Sequence, residues 1–230
     1  MIMANKINYQ ERLIKRLEEE NAAGRIPRIL LHACCAPCAS SCLEVTDRYC
    51  DTDLFFFNPN ITVREEYEYR LKELNKLVGS MKHVHNVRVI EGSYEPKRFF
   101  EAARGLENEP ERGKRCHACY RLRLSETMKA AVSGGYDFFA TTLTLSPLKP
   151  SDIINEIGLA LQGEISAATG TDIKLCEYLP SDFKKNNGYL RSIELSKEYD
   201  LYRQNYCGCG FSRRGEGYGV DQGHAGEAGT

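Results

Sequence analysis

The chain has 230 residues, 27 % of them charged, and a formal net charge of -1. That length can bury a sizeable core, and the balanced charge neither draws the whole molecule to nucleic acid nor keeps it away. No stretch is long and apolar enough to cross a membrane, and the charged start MIMANKINYQERLIKRLEEE lacks the apolar core of a signal peptide, so a cytoplasmic protein without a membrane partner is expected.

Residues 1–27 read as an N-terminal helical extension, with Leu13, Ile14 and Leu17 at helical spacing in a charged helix over 10–20. Arg28–His32 is a short strand that runs into HACCAPC, His32–Cys38, and Pro37 stops its straight continuation. A helix is expected from about Cys38 to Tyr49. Asp53–Phe57 is an unbroken apolar strand of the buried parallel kind, closed by Asn58-Pro59-Asn60. Thr62 as cap, Glu65 three residues on, and Tyr67, Leu71, Leu74 and Val78 give the next helix. Val87–Ile90 is a strand, Pro96–Leu106 a helix and Pro110–Lys114 a charged loop. A helix over Cys119–Ser133 leads through Gly134-Gly135 to the strand Phe138–Thr142, followed by a helix over Asp152–Gly163 and a short strand at Ile173–Cys176. Residues 215–230, rich in Gly, Ala and acid, read as a disordered tail in which His224 has no role. The alternation implies an α/β fold with a parallel sheet and right-handed crossovers. Ligands in such sheets sit beyond the carboxyl ends of the strands, where HACCAPC, NPN and TTLTLSP all fall.

Ten cysteines are many for such a chain, and they cluster: Cys34, Cys35, Cys38 and Cys42; Cys116 and Cys119; Cys207 and Cys209. Clustering beside Gly, Pro and His points to metal or redox chemistry rather than inert packing. Cys116 and Cys119 have the CxxC spacing that grips one ion. Adjacent cysteines diverge from a single ion unless the backbone bends sharply, whereas a cubane offers separate corners, which favours iron–sulfur over zinc. The ferredoxin spacing is absent. YCGCGF, Tyr206–Phe211, holds a CxC pair that could ligate metal or close a strained, reducible disulfide. Cys42, Cys50 and Cys176 read as packing. Cys38 is divided between ligand, proton donor and helix start.

Among polar residues, His32 reads equally as a satisfied core histidine or a site residue. Asp182 reads as helix cap or acid, Tyr206 as core or proton donor, and Lys149 and Lys184 as phosphate contacts. Eight Lys/Arg against four Asp/Glu between Lys97 and Arg123, with Arg112, Lys114, Arg115, Arg121 and Arg123 around the CxxC, and Arg203, Arg213 and Arg214 beside the CxC, would suit a polyanion.

HACCAPC, FNPNI (57–61), RCHACY (115–120), TTLTLSPLK (141–149), DFKK (182–185) and SKEYDLYRQNYCGCGFS (196–212) together resemble the QueH family of epoxyqueuosine reductases over most of residues 28–212. The resemblance implies a Rossmann-like sheet similar to nucleotide α-hydrolase-like domains, with cysteine-rich insertions, over a redox domain at 28–214. It implies cobalamin-independent reduction of the epoxide of epoxyqueuosine at the tRNA wobble position, with an electron donor the sequence does not identify. By the same resemblance Cys34, Cys35, Cys116 and Cys119 hold a 4Fe-4S cluster, and Cys207 and Cys209 form a redox-active disulfide. It leaves room for an additional mononuclear iron with Cys38, Asp182 or the CxC pair as ligands, and casts Cys38, Tyr206 and Asp182 as further site residues. Two rivals remain. An ATP-dependent tRNA-modifying enzyme would carry a glycine-rich phosphate loop where HACCAPC stands. A zinc-stabilised RNA-binding module would explain the CxxC but neither the adjacent cysteines nor the CxC.

Overall fold

The computed structural model describes residues 7–169 and 176–212. Ile173, Arg213, Arg214, His224 and the tail expected at 215–230 lie outside the described residues. Five strands, β1 (Arg28–His32), β2 (Asp51–Phe56), β3 (Val87–Glu91), β4 (Phe138–Thr141) and β5 (Glu177–Tyr178), form one sheet in the order β3-β2-β1-β4-β5. All four pairings are parallel. The chain builds outward from β1 through β2 to β3, then crosses to the other side for β4 and β5. The loops leaving β1 and β4 therefore diverge, and the crevice between them is the point at which sheets of this kind bind ligands.

The helices are α1 (Tyr9–Ala22), α2 (Ala36–Thr46), α3 (Arg64–Ser80), α4 (Pro96–Ala102), α5 (Lys114–Ser133), α6 (Ser151–Thr169) and α7 (Gly188–Glu198), with a 3-10 turn at Thr142–Leu145. Alternate strand residues feed opposite faces of the sheet. Ile29, Leu31, Leu54, Phe56, Phe138 and Ala140 pack with Leu13 and Leu17 of α1 and with residues of α2 and α3. Leu30, Phe55 and Phe139 pack with Leu124 and Met128 of α5 and Ile154 and Leu161 of α6. Among the described residues no helix is long and apolar enough to cross a membrane.

Several element boundaries differ from the sequence expectations, each for a physical reason. α2 opens at Ala36 rather than Cys38, because Pro37 sits in its first turn, where a missing N–H has no helical partner to lose. Thr62 does not cap α3: the cap position is Val63, with extended backbone and no side-chain bond. α4 stops at Ala102 rather than Leu106. α5 begins at Lys114, within the expected charged loop, because Arg115 turns inward and donates to the carbonyls of Leu106, Glu107 and Glu109. β5 lies at Glu177–Tyr178, just past the expected strand. α7 was not expected at all. Its buried face carries Ser192, Leu195 and Ser196, two of the three polar, and its Arg191 pairs with Glu44 of α2 at 2.7 Å.

Two glycines of α6 predict opposite responses to one substitution. A methyl on Gly158 would lie 2.2 Å from Tyr178 Cζ, and that ring is anchored by its hydroxyl bond to Asn155 Oδ1 at 3.0 Å. Gly163 has nothing within 4 Å among the described residues. Gly158→Ala should destabilise by about 1–3 kcal/mol through overpacking, and Gly163→Ala should stabilise by about 0.5–1 kcal/mol through helix propensity. Urea unfolding midpoints at unchanged slope would report both.

Candidate active site

The first thiol group is built by the turn from β1 into α2. Cys35 is the extended cap residue, φ -174°, and the chain becomes helical immediately after it. That bend supplies what adjacent cysteines need in order to converge. Cys34 and Cys35 Sγ lie 3.7 Å apart, and with Cys38 Sγ all three sulfurs fall within 4.8 Å of one another. The Cys34 N–H donates to Thr142 Oγ1 at 3.3 Å, and the Thr142 hydroxyl donates to Cys34 Sγ at 3.5 Å. The group thus bridges the ends of β1 and β4 at the crevice. Hydrogen bonds from Cys35 and Cys38, aided by the charges of Lys149 and Arg123, hold Cys34 well below the ordinary thiol range against burial. Its partners move the other way: the bond to Cys34 pushes Cys35 up to about 11, and the bonds to Cys34 and Cys35 push Cys38 well up.

A buried polar scaffold fixes this loop. Asn58, the first residue of NPN, is fully buried; its Nδ2 donates to Ala33 O at 2.9 Å, and its Oδ1 accepts from Arg123 Nη2 at 2.5 Å. Arg123 is 3 % exposed, and its Nε donates to His32 Nε2 at 3.2 Å. His32 Nε2 also lies 3.2 Å from Phe57 O, and His32 Nδ1 faces Thr141 Oγ1 at 2.9 Å, so both ring nitrogens have polar partners. Burial first, and the Arg123 charge second, push the imidazole down to about 3, so it is neutral. His32 is a satisfied core histidine.

The second group opens α5. Cys116 and Cys119 are three residues apart in its first turns and so share a face. Cys116 Sγ accepts from the Arg112 N–H at 3.3 Å. Burial pushes Cys119 up to about 11, against the Arg123 charge. Both thiol groups therefore sit at helix N-termini, whose unpaired N–H groups favour negative charge. Cys119 and Cys209 pack together with Phe99 and Phe211, which brings the CxC segment to α5. Within that segment Cys207 is exposed and Cys209 buried. A bond from Cys209, with the Lys149 charge, holds Cys207 well below the ordinary thiol range, and Cys209 is correspondingly pushed up. Burial opposes the charge on Lys149, but Cys34, Cys38 and Cys207 outweigh it, and its pKa is raised.

The sequence candidates divide accordingly. The Lys149 charge acts on thiols of two of the three cysteine segments, Cys34 and Cys38 of the first and Cys207 of the third. The compact three-sulfur group consists of Cys34, Cys35 and Cys38, so Cys38 belongs with the ligand candidates. Cys42, Cys50 and Cys176 are buried, as expected. Asp182 is no helix cap, since Asn187 opens α7; its carboxylate pairs with Lys184. The ring of Tyr206 lies 5.3 Å from the Arg70 guanidinium. The basic face is thinner than the sequence suggests: Arg115 and Arg123 are buried, Arg98 pairs with Glu95 and Glu126, and Arg121 pairs with Glu164. Sequence reasoning missed Arg70, Arg123 and Asn58 as organisers of the site. Arg70 lies three residues after Tyr67 on the buried face of α3, and a charge on an apolar stripe was the available signal.

The donors suit a thiolate-bound metal centre. All three residues of the compact group offer soft thiol sulfur, with no imidazole or carboxylate among them, and two more thiols open α5 nearby. The fold and site define a thiol-rich α/β protein built for redox or soft-metal chemistry at the switch point of a parallel sheet. Residues 29–215 match the family model described as epoxyqueuosine reductase QueH, and the chain belongs to that family. It is 43 % identical over 221 residues to the epoxyqueuosine reductase QueH of Staphylococcus epidermidis, covering 94 % of this chain and 89 % of that one. The Streptococcus pyogenes relative of the same name is 40 % identical, covering 94 % and 82 %, and that of Thermotoga maritima 34 %, covering 80 % and 89 %. Among solved structures, an NMN synthetase from Francisella tularensis matches 87 % of this chain and 75 % of its own at a TM-score of 0.41 and 11 % identity; a likeness of that size carries no argument here.

Asn58→Ala removes both the donor to Ala33 O and the acceptor for Arg123. It should destabilise the fold by about 2–4 kcal/mol, since a buried charged donor loses its partner, and lower the iron retained after anaerobic purification. Denaturant unfolding and iron analysis check the two effects.

Proposed function

We infer that this chain reduces the epoxide of epoxyqueuosine in tRNA to the alkene of queuosine. Membership of the family carries the reaction, and the meeting of three cysteine segments in one crevice supports its redox character. In this reading residues 28–214 form the redox domain, and Cys34, Cys35, Cys116 and Cys119 hold a 4Fe-4S cluster, with Cys38 beside them as a candidate ligand of an additional mononuclear iron. When bound, such a group supplies single-electron passage and a Lewis-acidic iron.

The chain's own part is the dithiol. Removing the epoxide oxygen as water takes two electrons and two protons. Oxidation of the Cys207–Cys209 dithiol to a disulfide releases two of each, so epoxide and dithiol become alkene, water and disulfide. The exposed, acidified Cys207 is the reactive member and the buried Cys209 its proton-bearing partner. Tyr206, beside Cys207, and Asp182 are the other candidates for placing a proton on the departing oxygen. An external electron donor then restores the dithiol.

The test is conversion of epoxyqueuosine-containing tRNA, read by nucleoside mass spectrometry. Wild-type protein with a reductant should turn over repeatedly. Cys207→Ser should fall to one turnover or less while keeping its iron. Full repeated turnover by Cys207→Ser would remove the disulfide role, and loss of iron with activity would make Cys207 a ligand instead.

A further inference from the structure

The CxC segment follows α7 as irregular chain, so no ladder of main-chain bonds fixes it. Three consecutive carbonyls do. Arg70 Nη2 donates to Tyr206 O at 3.2 Å, and Nη1 donates to Cys207 O at 3.4 Å. Asn60 Nδ2 donates to the same Cys207 O at 3.0 Å. The Thr62 N–H reaches Gly208 O at 3.4 Å. Arg70 is 2 % exposed and is oriented by Glu66, one turn earlier on α3, at 2.6 Å. Asn60 is 1 % exposed, and its Oδ1 has no partner among the described residues, so its bond to Cys207 O is what its burial secures. Gly208 has φ +99°, and a methyl there would lie 2.8 Å from Ile61 Cγ1 and 3.4 Å from Arg70 Nη1. The segment is seated so closely that the residue between the two cysteines has to be glycine.

We propose that Arg70 and Asn60 are positioning residues of the reductase, a clamp on the carbonyls of Tyr206 and Cys207 that keeps Cys209 buried beside Cys119 and leaves Cys207 open to react. A guanidinium that grips two successive carbonyls fixes the two peptide planes that meet at Cys207 Cα, and with them the direction in which the Cys207 side chain leaves the chain. The clamp holds main chain and not sulfur. Closing and opening the disulfide can therefore proceed by side-chain rotation while every clamp bond stays made. Cation–π contact with the Tyr206 ring adds to the grip. The proposal rests on reading the CxC as the redox pair, and its test separates the two ideas.

The experiment compares iodoacetamide alkylation of Cys207 and Cys209, resolved by mass spectrometry on anaerobic, iron-replete protein, with kcat and KM for the tRNA substrate. In Arg70→Gln, loss of two charge-assisted bonds should speed Cys209 alkylation by about tenfold or more and lower kcat. KM should stay unchanged, because a buried arginine cannot reach a phosphate. Arg70→Lys should fall between, since an ammonium lacks the fork that grips two carbonyls. Asn60→Ala should show a smaller rise and serves the same test if Arg70→Gln does not fold. Wild-type alkylation of Cys209 in both Arg70→Gln and Asn60→Ala, or a raised KM with kcat intact, would overturn the clamp. Failure of the redox reading looks different: Cys207→Ser would turn over fully while the Cys209 alkylation contrast between wild type and Arg70→Gln persisted.

Discussion

The site depends on a guanidinium kept out of water. Arg123 is almost completely buried, and a charge so placed is tolerated only when its donors are met. Its partners are Asn58 at the end of β2 and His32 at the end of β1, and it rises from α5, the helix that begins with Cys116 and Cys119. One side chain therefore fixes the spacing between the first cysteine loop, the NPN loop and the second cysteine pair. Asn58 extends the link to the carbonyl of Ala33, directly before Cys34. Removing any one of these partners strands a buried donor or acceptor, so the network holds or fails as a unit.

Around that scaffold the thiols are arranged by charge as much as by packing. Cys34 and Cys207 are the two members whose thiolates the surroundings favour. They lie on different segments, and the Lys149 charge acts on both. Each has a neighbouring thiol whose pKa is pushed up in turn. The same design appears twice, once in the group suited to hold metal and once in the pair suited to store two electrons.

Much of this was legible in the sequence. The α/β alternation, the sheet-edge placement of HACCAPC, NPN and TTLTLSP, and the grouping of the cysteines all follow from apolar runs and residue spacing. The hidden parts have identifiable causes. α7 buries two serines beside one leucine, so apolar residues alone do not mark out its buried face. The start of α5 was hidden because Arg115 and Arg123 count as surface charge in a sequence but are spent on carbonyls, Asn58 and His32 in the fold. Arg70 was read past because helical periodicity is scored on apolar residues, and its value lies in where an extended segment over a hundred residues away returns to meet it. Long-range hydrogen bonds to main chain leave almost no trace in composition.

In the proposed function, cysteines from two separate helix starts hold one iron–sulfur centre. The direct measurement is iron and acid-labile sulfide on anaerobically purified protein, wild type beside Cys116→Ala. About four iron and four sulfide per chain in the wild type, the content of one cubane, and loss of both in Cys116→Ala are the results predicted. Stoichiometric zinc without sulfide after reconstitution, or a full cluster in Cys116→Ala, would contradict it.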